Sequence, residues 1–224
     1  MYERRFNATQ FRVLEGTNLG SAGTLVGYAS IYSTPGSKYG LSEDMGGWRE
    51  RCSFGMAKRY LTSNPDIKGL RDHNPSLILC RTANGTLKLA EDGVGLRCEM
   101  NIADTSTGRD TMVLVRSGTV DQMSFAFAID GSDGESWDEE PDYDDPDGER
   151  KLMVRTLRAV KIYDASIVTS PAYPDARVGV KDAFVIGRAL ENAPAEVRSR
   201  VAAYHNSNGE RTRRQNAVNL FLGL

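Results

Sequence analysis

Met123-Ser124-Phe125-Ala126-Phe127-Ala128-Ile129 is the stretch on which the reading of this 224-residue chain turns. A β-strand sends successive side chains to opposite faces, so a strand here carries Phe125 and Phe127 on one face and Ser124, Ala126 and Ala128 on the other. The phenylalanines read as core. A lone serine in an apolar strand ordinarily bonds to a neighbouring carbonyl, so Ser124 acquires chemical meaning only from its company.

Upstream, Asp104-Thr105-Ser106 offers N-cap residues to a helix containing Met112, Val113, Leu114 and Val115 and ending at Ser117-Gly118. Before it, short apolar runs at Ile67–Leu70, Leu77–Arg81, Thr86–Ala90 and Gly95–Ile102 are separated by Asn-Pro, Asn-Gly and Asp-Gly, the punctuation of hairpins. Phe54, Ala57 and Leu61 fall at helical spacing, and the β-rich run from Thr24 stops at Thr34-Pro35-Gly36. Downstream, strands are expected over Lys151–Val160 and Lys161–Thr169, with regular structure broken at Ser170-Pro171. The class is therefore mainly β with flanking helices (α+β).

Three divisions follow. Residues 1–21 read as an N-terminal arm or single edge strand, 22–180 as the domain, and 181–224 as a helical, flexible tail with a basic-then-apolar end. Within the domain, 131–149 holds ten acids without an intervening base, together with Pro141 and Pro146, and reads as a mobile acidic surface loop. That loop hides a basic remainder under a net charge of −2. The remaining Lys and Arg are scattered, so nucleic acid is the least favoured partner.

Other classes drop out. The three cysteines, Cys52, Cys80 and Cys98, are odd in number and widely spaced, giving neither a disulfide framework nor a metal site. No apolar run approaches the roughly 18 residues needed to span a bilayer. A reducing cytoplasm is the expected setting. Of the two histidines, His205 lies in the tail, which leaves His73, followed by Asn74-Pro75, as the candidate general base. Asp72 beside it and Asp164 downstream are candidate orienting acids; Asp164 could equally be a solvent-facing strand residue paired with Lys161 or Arg158.

Taken together, Gly27-Tyr28-Ala29-Ser30, Phe54-Gly55-Met56-Ala57, His73-Asn74-Pro75, Gly85-Thr86-Leu87, Gly95-Leu96-Arg97, the Ser124 strand, Tyr163-Asp164-Ala165-Ser166 and Pro171-Ala172-Tyr173-Pro174 resemble the prohead maturation serine proteases of tailed bacteriophages. That family is similar in fold to the herpesvirus capsid-assembly proteases. The resemblance spans about residues 24–178. It implies a small closed or partly closed β-barrel packed by helices, with His73 as base, Ser124 as nucleophile and Asp164 as the acidic third member. Relatives carry glutamate or, in the herpesvirus branch, histidine at the third place, so aspartate shortens the reach by one methylene. Oxyanion-hole donors are expected within 171–177.

The chemistry so implied is consistent. A serine hydroxyl is a weak nucleophile until an imidazole takes its proton, and a carboxylate on the other ring nitrogen fixes the tautomer. No metal or organic cofactor is required. Substrates implied by the resemblance are the major capsid protein, the scaffold region and the chain's own tail. The setting is the assembling prohead in the host cytoplasm, and a homodimer is a further implied partner. The alternative is a non-catalytic capsid assembly protein that keeps the fold and uses the acidic loop and tail to organise subunits.

Overall fold

The structure is a computed structural model that describes residues 3–7, 12–14, 20–42, 44–169, 190 and 193–204. In chain order its strands are β1 (Glu3–Asn7), β2 (Arg12–Leu14), β3 (Ser21–Ile31), β4 (Trp48–Cys52), β5 (Lys68–Arg71), β6 (Asn74–Arg81), β7 (Leu87–Glu91), β8 (Gly95–Ala103), β9 (Gln122–Ile129), β10 (Glu135–Pro141), β11 (Lys151–Leu157) and β12 (Val160–Val168). Helices α1 (Lys58–Leu61) and α2 (Ser106–Arg116) interrupt them, and residues 195–204 form a later helix.

Hydrogen bonding groups these strands into three sheets, ordered β1-β9-β12-β5-β6, β2-β3-β8-β7 and β10-β11-β4. The ladders are open, each with two edges, so among the described residues the expected barrel closure is absent. The mainly β class stands, with helices at its flanks.

One core joins the five-stranded and four-stranded sheets. From the first come Phe125, Phe127, Ile162, Ala165, Ile167 and Leu79, and from the second Leu25, Leu87, Met100 and Ile102. Phe125 and Phe127 lie on one face of β9 with ring centroids 5.1 Å apart, as the alternation predicts. Helix α2 closes this core with Met112 and Val115. Thr105 caps it by accepting from the Gly108 amide at 3.1 Å, and the chain leaves it through Gly118 at φ 70°. Gly108 itself is there for contact: a Cβ would stand 1.9 Å from the Ala103 carbonyl oxygen at the end of β8.

The N-terminal and the acidic segments both join sheets. Of the two readings of the N-terminal segment, edge strand is the one seen: β1 lines β9 antiparallel with Phe6 opposite Ser124, and β2 lines β3. Instead of a loop throughout, the acidic segment supplies β10, which pairs antiparallel with β11 from Glu135↔Leu157 to Pro141↔Lys151. The physical reason is charge. Arg51 meets Glu140 at 2.5 Å, Arg155 meets Glu135 at 2.5 Å and Glu50 at 3.1 Å, and Arg49 meets Asp142 and Asp144. The neutralising bases lie in β4 and β11, remote in sequence, so the local composition hides them.

A second small core seats the later helix on this sheet. Val197 and Val201 pack on Trp48, Met45 and Met153, while Tyr204 bonds to Asp44 at 2.6 Å. The Arg155 guanidinium also lies over the Trp137 ring at 5.9 Å.

Two outcomes follow for stability. Arg155 and Glu50 side chains are each only 2% exposed, so Arg155→Ala strands a buried carboxylate and should cost about 3–5 kcal/mol in urea unfolding. Cys80 and Cys98 are buried, and desolvation pushes both thiols up to about 12. Iodoacetamide at pH 8 should leave them unmodified in the native protein and alkylate them on unfolding, as mass spectrometry will read.

Candidate active site

The site lies on the face of the five-stranded sheet opposite the phenylalanines, and three local devices build it. The first is the β5–β6 hairpin. Arg71 pairs with Asn74, leaving a two-residue turn of Asp72 and His73 with φ of 51° and 54°. Two positive φ values define a type I′ turn, which suits Asp but strains His by roughly 1–3 kcal/mol. Here the sequence expected a turn at Asn74-Pro75; the turn falls two residues earlier and places His73 at its tip.

Tethers to β12 hold that turn. The Asp72 amide donates to the Ile167 carbonyl at 2.9 Å, and the Asp72 carboxylate accepts from the Thr169 amide at 2.7 Å and its hydroxyl at 3.0 Å. Arg71 bonds to the Asp72 carboxylate at 2.9 Å and to the Ile167 carbonyl at 3.2 Å. Asp72, the rival orienting acid, is therefore engaged with Thr169 and Arg71.

The second device is a β-bulge in β12. Ile162 faces Phe127, but the next pair is Asp164↔Ala126, so Tyr163 is an extra residue in the ladder. Counted by simple alternation from the buried Ile162, Asp164 would share the core face with Phe125. The bulge shifts the phase by one, and Asp164 moves to the face of Ser124. Ala165 and Ile167 then return to the core opposite Phe125 and Met123, and Ser166 sits directly opposite Ser124. The third device is β12's central place, with β9 on one side and β5 on the other.

These devices bring the three candidate residues together. His73 Nε2 lies 2.7 Å from Ser124 Oγ, and His73 Nδ1 lies 2.6 Å from Asp164 Oδ1. All three are buried: Ser124 is 0%, His73 4% and Asp164 5% exposed. An ionised carboxylate can only accept, so the proton of this pair sits on Nδ1, leaving Nε2 free of a proton to accept from the Ser124 hydroxyl. Low surrounding dielectric strengthens both bonds. Lys161, one suggested surface partner of Asp164, points instead to Asp130 at 3.5 Å. His205 and the span 171–177 expected to hold oxyanion donors lie outside the described residues.

Sequence reasoning missed the Asp72–Thr169 tether and Ser166, whose hydroxyl donates to Asp164 Oδ1 at 2.5 Å. The only available signal for Ser166 is its spacing of two from Asp164, which puts both on one face of a strand.

A hydroxyl, an imidazole and a carboxylate bonded in line are the arrangement of hydrolases that activate a serine through histidine. The chain matches the Caudovirus prohead serine protease family over residues 9–189, and it belongs to that family. The solved bacteriophage T4 capsid assembly protease is similar at 9% identity and a TM-score of 0.38, over 74% of this chain and 98% of that one. No curated protein matches the chain. No described helix is long and apolar enough to cross a membrane.

The tether makes its own prediction. Asp72→Ala removes the acceptor for Thr169 and puts alanine at positive φ, and should lower stability by about 1–2 kcal/mol in urea titration. Asp72→Asn keeps an acceptor oxygen for Thr169 and tolerance of positive φ but loses the charge facing Arg71, and should retain more stability than Asp72→Ala in the same titration.

Proposed function

We propose that this chain is a serine endopeptidase of phage prohead maturation, with Ser124 as nucleophile, His73 as general base and acid, and Asp164 as the group that orients and balances the imidazole. The observation that carries the reading is the shared imidazole: one ring bonds to Ser124 through Nε2 and to Asp164 through Nδ1. Membership of the prohead serine protease family supports it.

In the first step Ser124 Oγ attacks the scissile carbonyl carbon while His73 Nε2 takes the hydroxyl proton. Asp164, bonded to Nδ1, steadies the imidazolium that forms. His73 then gives that proton to the leaving amine, and an acyl ester remains on Ser124. Water enters, loses a proton to Nε2, and releases the acid product as Oγ recovers its hydrogen. Oxyanion donors are expected from 171–177. Ser124 is fully buried, so a peptide reaches it only after local rearrangement.

The substrates proposed are the major capsid protein, the scaffold region and the chain's own tail, acted on inside the assembling prohead in the host cytoplasm. Residues 22–180 are the proposed protease domain, with 1–21 and 181–224 as appended segments, and a homodimer is the proposed assembly. Type and order of the three side chains favour catalysis over a scaffolding role, since a scaffold needs no imidazole between a hydroxyl and a carboxylate.

A fluorophosphonate probe tests the assignment. The parent chain should be labelled at Ser124, and both Ser124→Ala and His73→Ala should lose labelling and capsid-precursor cleavage by at least about 10³-fold. Unchanged cleavage by purified Ser124→Ala would falsify the nucleophile.

A further inference from the structure

Among the described residues, the carboxylate oxygen that faces His73 has two donors, and only one of them belongs to the proposed triad. Asp164 Oδ1 accepts from His73 Nδ1 at 2.6 Å and from Ser166 Oγ at 2.5 Å. Ser166 is 0% exposed and stands opposite Ser124 in the β9–β12 ladder, two residues beyond Asp164 on the same face. We propose that Ser166 is a fourth, positioning residue of the site, whose hydroxyl fixes the rotation of the Asp164 carboxylate. The inference rests on the triad reading given above.

Direction of the bond is settled by chemistry. An ionised carboxylate has no proton to give, so Ser166 donates. Its hydrogen is thereby committed to Asp164, which separates it from Ser124, whose partner is the imidazole. Two serines thus face each other across adjacent strands with different work: one bonds to the base, the other to the acid.

Need for such a donor follows from burial and from length. A carboxylate only 5% exposed has lost its water and needs protein hydrogen bonds in its place. Aspartate also has a short stem with a broad rotation about its last torsion. A hydroxyl on the same strand face pins that rotation so that Oδ1 points at Nδ1. The bulge at Tyr163 enables this too, because it brings Asp164 into phase with Ser166 while Ala165 stays in the core.

The test compares Ser166→Ala, Ser166→Thr and Ser124→Ala in the full chain, reading fluorophosphonate labelling rate and the low-field proton resonance of His73 Nδ1–H. Ser166→Ala should fold cooperatively, label at Ser124 roughly 10- to 100-fold more slowly, the factor carried by one hydrogen bond to a charged group, and shift or broaden that resonance. Ser166→Thr, which keeps the hydroxyl, should recover most of the rate; if the added methyl prevents folding, the resonance of Ser166→Ala decides alone. Parent-like labelling with an unmoved resonance in Ser166→Ala overturns the positioning role. So does slower labelling with an unmoved resonance, which assigns the loss to packing. Persistent labelling of Ser124→Ala instead overturns the triad reading, and is distinguishable because it does not depend on Ser166.

Discussion

A carboxylate nearly sealed from water is the constraint around which this sheet is arranged. Burial there leaves Asp164 in need of donors in place of solvent, and His73 and Ser166 supply them. Each donor in turn needs its own support. His73 reaches the carboxylate from the tip of a strained turn, and that turn is tied by Asp72 to Thr169 at the end of the strand that carries Asp164. Ser166 reaches it because the bulge sets both side chains in phase. Remove the phase shift, and the acid would point among Phe125 and its apolar neighbours.

A comparable solution appears on the three-stranded sheet, with a different purpose. Arg49, Arg51, Glu50 and Arg155 lie inside the fold, and acids from β10 and the residues after it close over them. Pairing buried charges is weak evidence of net stability against an apolar alternative, but it penalises wrong registers, because a slip leaves a charge without its partner. Here it also fastens a segment whose composition would otherwise resist ordering.

How much of this could be read from the sequence depended on whether the deciding interaction was local. The alternation in β9 and the caps of α2 are local, and both appear where they were expected. The candidate site residues were named from type, order and family resemblance, and they meet in space. The bulge at Tyr163 left no sequence mark, because phase is a property of two paired strands. Trp48-Arg49-Glu50-Arg51-Cys52 carries three charges in a row, yet every residue in it is buried. Its neutralising acid for Arg51 is 89 residues away. The same distance explains why 131–149 looked like a loop. Barrel closure, inferred from resemblance, was a statement about sheet edges, which no residue pattern specifies.

The central place of β12 carries a consequence for timing. This strand is contributed late in the chain, yet it lies between β9 and β5, and the His73–Asp164 contact spans 91 residues against 51 for His73–Ser124. Contacts of such separation form slowly, and synthesis delivers the N-terminal side first. A nascent chain that has emerged as far as Ser124 therefore holds a base and a hydroxyl on strands with an empty lane between them. On the proposed roles, the set of His73, Ser124 and Asp164 is complete only once β12 slots into that lane, so the order of synthesis makes the acid the last of the three to arrive.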